Sequence, residues 1–191
     1  RSQAQIEHDI KELISPDGKV YEAAKKVIDE IIASTPEVMR NSGVFCLTET
    51  NNNVTMWAHY ADNHRGSCLG FLIPEEARPR PEKVTYVREA PIVNFSNLFD
   101  NGSGEDEYKW IFSKHLDWEH EREWRIVVRQ GNHLWPIPWK IKNVIFGLRM
   151  DNSRRNVIKK ILENEVDIEY FEAIKKPHLL QLEIKKIETD T

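Results

Sequence analysis

The sequence predicts an α+β fold: a single mixed, mainly antiparallel sheet of about six short strands with flanking helices. Two observations carry this reading. Apolar residues recur at helical spacing in three places, and short runs rich in β-forming residues lie between them, bounded by turn signals. A third observation sets the domain count. No internal repeat, low-complexity segment or interior linker divides the chain, so residues 1–191 read as one domain, with a helical lead-in over 1–40 and a mixed core over 43–185.

Residues 3–34 read as helical. Val20, Ala24, Val27, Ile28 and Ile31 fall on one helix face, and Pro36 ends the run by pushing Thr35 out of helical geometry. Residues 44–47 form a short apolar strand, and three asparagines at 51–53 make a turn. Residues 54–61 suit one or two helical turns, followed by a polar loop at 62–66. The stretch 67–73 is almost wholly apolar and is expected to be a strand buried on both faces. A short strand follows at 84–87, after an excursion marked by Pro74, Pro79 and Pro81.

Residues 94–107 read as loop, and Tyr108, Ile111, Phe112, His115 and Leu116 give a second amphipathic helix. A strand is expected over 121–129, a bulky loop over 130–142 and a strand over 144–146. Val157, Ile158, Ile161 and Leu162 mark a third helix, with Asn152 or Ser153 as its cap. Strands over 168–171 and 179–184 complete the fold.

Composition narrows the function classes. At 40% hydrophobic and 30% charged, the chain can build a core inside a solvated shell, which excludes disorder for the whole. Lys and Arg total 27 against 31 Asp and Glu, a formal net charge of −4, which argues against a generic binder of phosphate backbones. No apolar run approaches the ~20 residues of a membrane helix, and no signal peptide is legible, so no membrane partner is expected. Cys46 and Cys68 are too few for a disulfide scaffold or a thiolate zinc site. Both sit in apolar runs and are expected to be buried, reduced thiols of a cytoplasmic protein.

Three clusters could carry chemistry. The densest runs from Trp57 to Gly66 and holds His59, Tyr60, Asp62, His64 and Arg65. His59 and His64 are five residues apart, which misses the four-residue spacing of a zinc-binding helix, so no metal is expected. A helix end whose polar groups satisfy the backbone is the plain alternative. The second cluster, Trp118 to Ile126, would in a strand place Glu119, Glu121, Glu123 and Arg125 on one side. Like charges crowded together raise at least one carboxylate pKa, a common property of acid–base sites; a solvated edge strand is the alternative. In the third, a strand ends at Gly147 and Arg149, and a helix starting near Asn152 could offer backbone donors to an anion.

These motifs have an order. CLTETNNNVTMWAHYADNHRGSCLGF, KVTYV, EHEREWRIV and VIFGLRM resemble, in sequence, the prokaryotic family known as domain of unknown function 2971 (DUF2971), over about residues 43–160. Leu47 and Thr48 stand where that family usually has Phe-Ser. Its members generally open with a strand, a helix and an Asn-Asp-Pro-Phe-like segment that are not legible after Arg1, so an upstream segment or a second chain is expected to complete the domain. A second resemblance is to ADP-ribosyltransferases, whose Glu-x-Glu strand contacts the nicotinamide ribose. It implies Glu123 as the catalytic carboxylate, Glu121 as its orienting partner, and NAD as substrate. Trp57, His59, Tyr60, His64, Arg65, Tyr86, Arg125 and Arg149 then join as substrate-binding candidates.

Three functions follow as expectations. The first is an enzyme that consumes NAD or transfers ADP-ribose in a toxin or phage-defence setting. The second is a non-enzymatic module that recognises a protein or nucleic acid through the Trp57–Gly66 face. The third is a metal-dependent nuclease using His59, His64 and a carboxylate.

Overall fold

The computed structural model describes residues 41–91, 109–128, 130–137 and 139–188, together with isolated positions between 17 and 29. The predicted helix over 3–34 therefore lies largely, and the loop over 94–107 wholly, outside the described residues. The α+β class is borne out, but the strands among the described residues form three sheets rather than one. Proline explains part of this. Pro74, Pro79 and Pro81 fall between two strands, and Pro136 shortly before another; proline has no N–H to continue a ladder.

Contacts group the chain into two compact units: Arg1–Cys46, Glu82–Leu116 and Arg125–Leu134 in the first, and Leu47–Pro81, Asp117–Trp124 and Trp135–Thr191 in the second. Strands β1 (Gly43–Thr48), β6 (Glu123–Val128) and β3 (Glu82–Lys83) form a sheet of order β1-β6-β3, of which Gly43–Cys46, Arg125–Val128 and β3 fall in the first unit. Val84 and Ile126 are buried apolar residues of the first unit. Strands β4 (Thr85–Val87) and β5 (Ser113–His115) pair in parallel. The helix expected over 108–116 is thus cut short, because the Thr85 N–H donates to the Phe112 carbonyl at 2.7 Å and draws the chain into a ladder. A tertiary pairing overrides local propensity there.

The second unit is built around β7 (Lys140–Phe146), central in a sheet of order β2-β7-β8-β9, with β2 at Ser67–Leu72, β8 at Glu169–Lys175 and β9 at Leu182–Lys186. Strand alternation sends neighbouring β7 residues to opposite faces. Ile145 packs with Trp57, Ala61, Ala173 and Leu182, whereas Val144 and Phe146 pack with Met150 and, through it, helix α2 (Asn152–Ile161). The strand buried on both faces is therefore β7. The expectation placed it at 67–73, but β2 is an edge strand with Leu69 and Leu72 exposed. Its apolar run packs only one side.

Helix α1 (Val54–Tyr60) starts where Asn53 caps it, the side-chain carbonyl accepting from the Met56 N–H at 3.1 Å. Three consecutive left-handed residues, Asp62, Asn63 and His64 (φ 46°, 51° and 70°), turn the chain back after it. Asp and Asn tolerate this geometry because their short polar side chains bond locally. The turn is closed by Gly66 N–H donating to Ala61 O at 2.8 Å, and it docks on the 147–149 turn: Gly147 N–H donates to Gly66 O and Arg149 N–H to His64 O, both at 2.9 Å. A Cβ on Gly147 would lie 2.3 Å from His64 O, so only glycine fits.

Two smaller expectations change. Asp151, one residue ahead of the expected positions, caps α2, accepting from Arg154 N–H at 2.9 Å. Cys46 is exposed and Cys68 half-buried, so neither thiol is sealed in a core.

Candidate functional site

Helix α1 presents two faces. Trp57 and Ala61 enter the core, while Met56 and Tyr60, four residues apart and so on one side, line a pocket of about 130 Å³ with Thr48, Asn51, Trp57 and Cys68. That size suits one planar ring, since a cavity of about 150 Å³ admits benzene. Trp57 is 4% exposed. Its indole N–H donates to Asn51 O at 2.7 Å, which fixes the ring as a wall.

Tyr60 also joins the pocket to a segment 61 residues further on. A 3-10 helix (Leu116–Glu121) precedes β6, and Arg122 between them is left-handed at φ 46°. This break overturns the simple alternation expected from 119 to 125. Glu119 is exposed, whereas Glu121 and Glu123 are 2% and 5% exposed, so the three carboxylates do not share a solvated face. Burying a carboxylate is costly unless partners are supplied. For Glu121, Tyr60 Oη donates to Oε1 at 2.8 Å.

The main chain beside it is gripped as well. Thr48 Oγ1 donates to Glu121 O at 2.6 Å, Asn53 Nδ2 to His120 O at 3.3 Å, and Trp124 Nε1 to Glu49 Oε1 at 2.8 Å. Residues 48–53 and 120–124 are thereby knitted around the Tyr60–Glu121 contact. Sequence reasoning missed Thr48 and Asn53. The available signal was a hydroxyl at 48, where the resembling family has serine at the end of the same strand.

The remaining candidates divide. His59 and Tyr60 are exposed neighbours on α1, and His59 meets Trp118 edge-on with centroids 6.2 Å apart. His64 stacks on Trp57 at 6.5 Å and 9°, and its Nδ1 is buried with no hydrogen-bond partner. Burial, then the nearby Arg149 guanidinium, holds its pKa below the ordinary histidine value. Burial pushes the Cys68 thiol up, so that pocket group stays a neutral thiol rather than a nucleophile.

Arg65 lies 3.7 Å from Asp62, which also faces Arg154 at 3.6 Å. Arg154 in turn reaches Asp151 at 3.4 Å. The α2 N-terminus, considered above as an anion site, thus carries its own carboxylate. Arg149 is exposed beside that turn. Tyr86 and Arg125 belong to the first unit, where the Arg125 guanidinium donates to Ile111 O. Among the described residues, no group of three or more His, Cys, Asp or Glu side chains is placed to hold a metal ion. Nor is any helix among them long and apolar enough to cross a membrane.

Tyr60, Glu121, most of β6 and the pocket-lining residues from Met56 to Cys68 fall within the segment that can be compared with known families. No curated protein and no solved structure matches the chain. Residues 56–126 match the family described as "Protein of unknown function (DUF2971)", the same family that the motifs of this segment resemble.

Proposed function

We propose that the chain binds NAD at the pocket beside α1 and breaks the bond between nicotinamide and ribose, passing ADP-ribose to water or to an acceptor. The Tyr60–Glu121 pair, 2.8 Å from oxygen to oxygen beside a hollow of ring size, carries this reading. When the C1′–N bond breaks, its electron pair leaves with nicotinamide, which becomes neutral, and positive charge develops on the ribose. A carboxylate already fixed in place stabilises that charge with little reorganisation.

Glu121 acts through Tyr60. The phenol gives its hydrogen bond to Oε1, and electron density on the phenolic oxygen at the pocket rises. The incoming nucleophile forms its bond at C1′, and its proton passes by way of Tyr60 to the Glu121 carboxylate. The resemblance gave the closer role to Glu123; the contact with Tyr60 favours Glu121 instead. Trp57, locked onto Asn51 O, supplies a rigid face for the nicotinamide ring.

Incubating the protein with NAD labelled in both halves should release nicotinamide and yield free or protein-bound ADP-ribose. Neither product, at high enzyme and long times, would overturn the proposal. A second reading, recognition without turnover, is favoured by the burial of both carboxylates at 2% and 5% exposure. It would register as NAD binding with no nicotinamide released.

A further inference from the structure

Beside the pocket, three rings stand in a row on the surface. His59 meets Trp118 with planes at 75°, and Trp118 stacks on His120 at 6.1 Å and 27°. All three residues are exposed, Trp118 to 37%. Both ends of the row reach pocket-lining residues. His59 lies 6.3 Å from the Tyr60 ring, and the His120 carbonyl accepts from Asn53 at 3.3 Å.

We propose that the His59–Trp118–His120 row is a stacking platform for a purine base. Resting on the NAD reading, the base is the adenine of the dinucleotide whose nicotinamide enters the pocket. Two observations favour this occupant. A hollow of about 130 Å³ takes one ring, so the rest of a dinucleotide must lie outside it, and the row is the aromatic surface continuous with its rim. The flanking residues Asp117 and Glu119 are exposed carboxylates on the same 3-10 helix. They disfavour phosphates on the row itself and admit a neutral base, whose π face stacks on any aromatic ring.

The test is AMP binding to the full chain by calorimetry, comparing wild type, Trp118→Ala and Trp118→Phe. Nicotinamide mononucleotide, which has no purine, is the control ligand. Trp118→Ala should weaken AMP by about tenfold or more, Trp118→Phe should restore most of that, and the control ligand should be unaffected by either change. The platform is overturned if wild type does not bind AMP, if Trp118→Ala binds it equally well, or if both ligands weaken together. A short single-stranded oligoadenylate binding far more tightly than AMP overturns the dinucleotide assignment. Loss of AMP binding in Trp118→Ala, with no nicotinamide release by wild type, leaves the platform standing and counts against the NAD reading alone.

Discussion

Tyr60 and Glu121, 61 residues apart in the chain, are joined by a hydrogen bond of 2.8 Å between the phenol and a carboxylate that is 2% exposed. Thr48 holds the same glutamate by its main chain at 2.6 Å. A carboxylate buried and braced in this way contributes little to stability in net terms, and through Tyr60 it is joined to the lining of the pocket beside α1.

Removing the phenol hydroxyl with Tyr60→Phe takes one donor from that buried carboxylate. The expected cost is about 1–3 kcal/mol, visible as a lowered midpoint in urea with an unchanged slope. An unchanged midpoint would mean that the bond is not maintained in solution.

Trp57 stood among the substrate-binding candidates, and the structure makes it a core residue as well as a pocket wall. Trp57→Ala should cost about 3–5 kcal/mol, enough to lose the cooperative unfolding transition in a marginally stable protein. A well-folded Trp57→Ala protein that merely binds ligand less tightly would contradict the core role.

Much of this was legible in the sequence. The helical turns over 54–61, the apolar Val144–Phe146 run and the family-like motifs could be read from local pattern, because periodicity is a local signal. The sequence placed Tyr60 and Glu121 among the candidates for one site, without a contact between them. Three features were not legible. The left-handed Arg122 breaks the alternation before Glu123, the ladder with Thr85–Val87 turns 113–115 from helix to strand, and β2 lies at a sheet edge despite its apolar run. Each depends on a partner distant in sequence or on a single φ angle, and neither leaves a periodic trace.

The turn after α1 makes a separate prediction. Gly147→Ala would press a methyl group against the carbonyl oxygens of His64 and Gly66, at 2.3 and 2.6 Å. Backbone cannot step aside as a side chain can, so a loss of about 1–3 kcal/mol is expected. Thermal unfolding of the variant measures it; a stability equal to wild type would show that the two turns are not docked in solution.

His64 ties the same turn to pH. Burial and Arg149 hold its folded pKa below the ordinary 6.5. The unfolded chain therefore takes up a proton, as pH falls through that value, which the folded chain resists. The folded state loses stability on the acid side and keeps it in full above. Urea unfolding at pH values about one unit above and one unit below should show the stability difference between wild type and His64→Gln shifting against wild type at the lower pH. A difference independent of pH would contradict the buried, unpartnered Nδ1.

The most direct measurement is nicotinamide release from NAD by wild type and by Glu121→Gln, with circular dichroism showing both folded. Wild type should release nicotinamide, and the amide, isosteric but uncharged, should slow it by about a hundredfold or more. Equal rates in the two proteins, or nicotinamide release that depends on Glu123 and not on Glu121, would contradict the role given to the Tyr60–Glu121 pair.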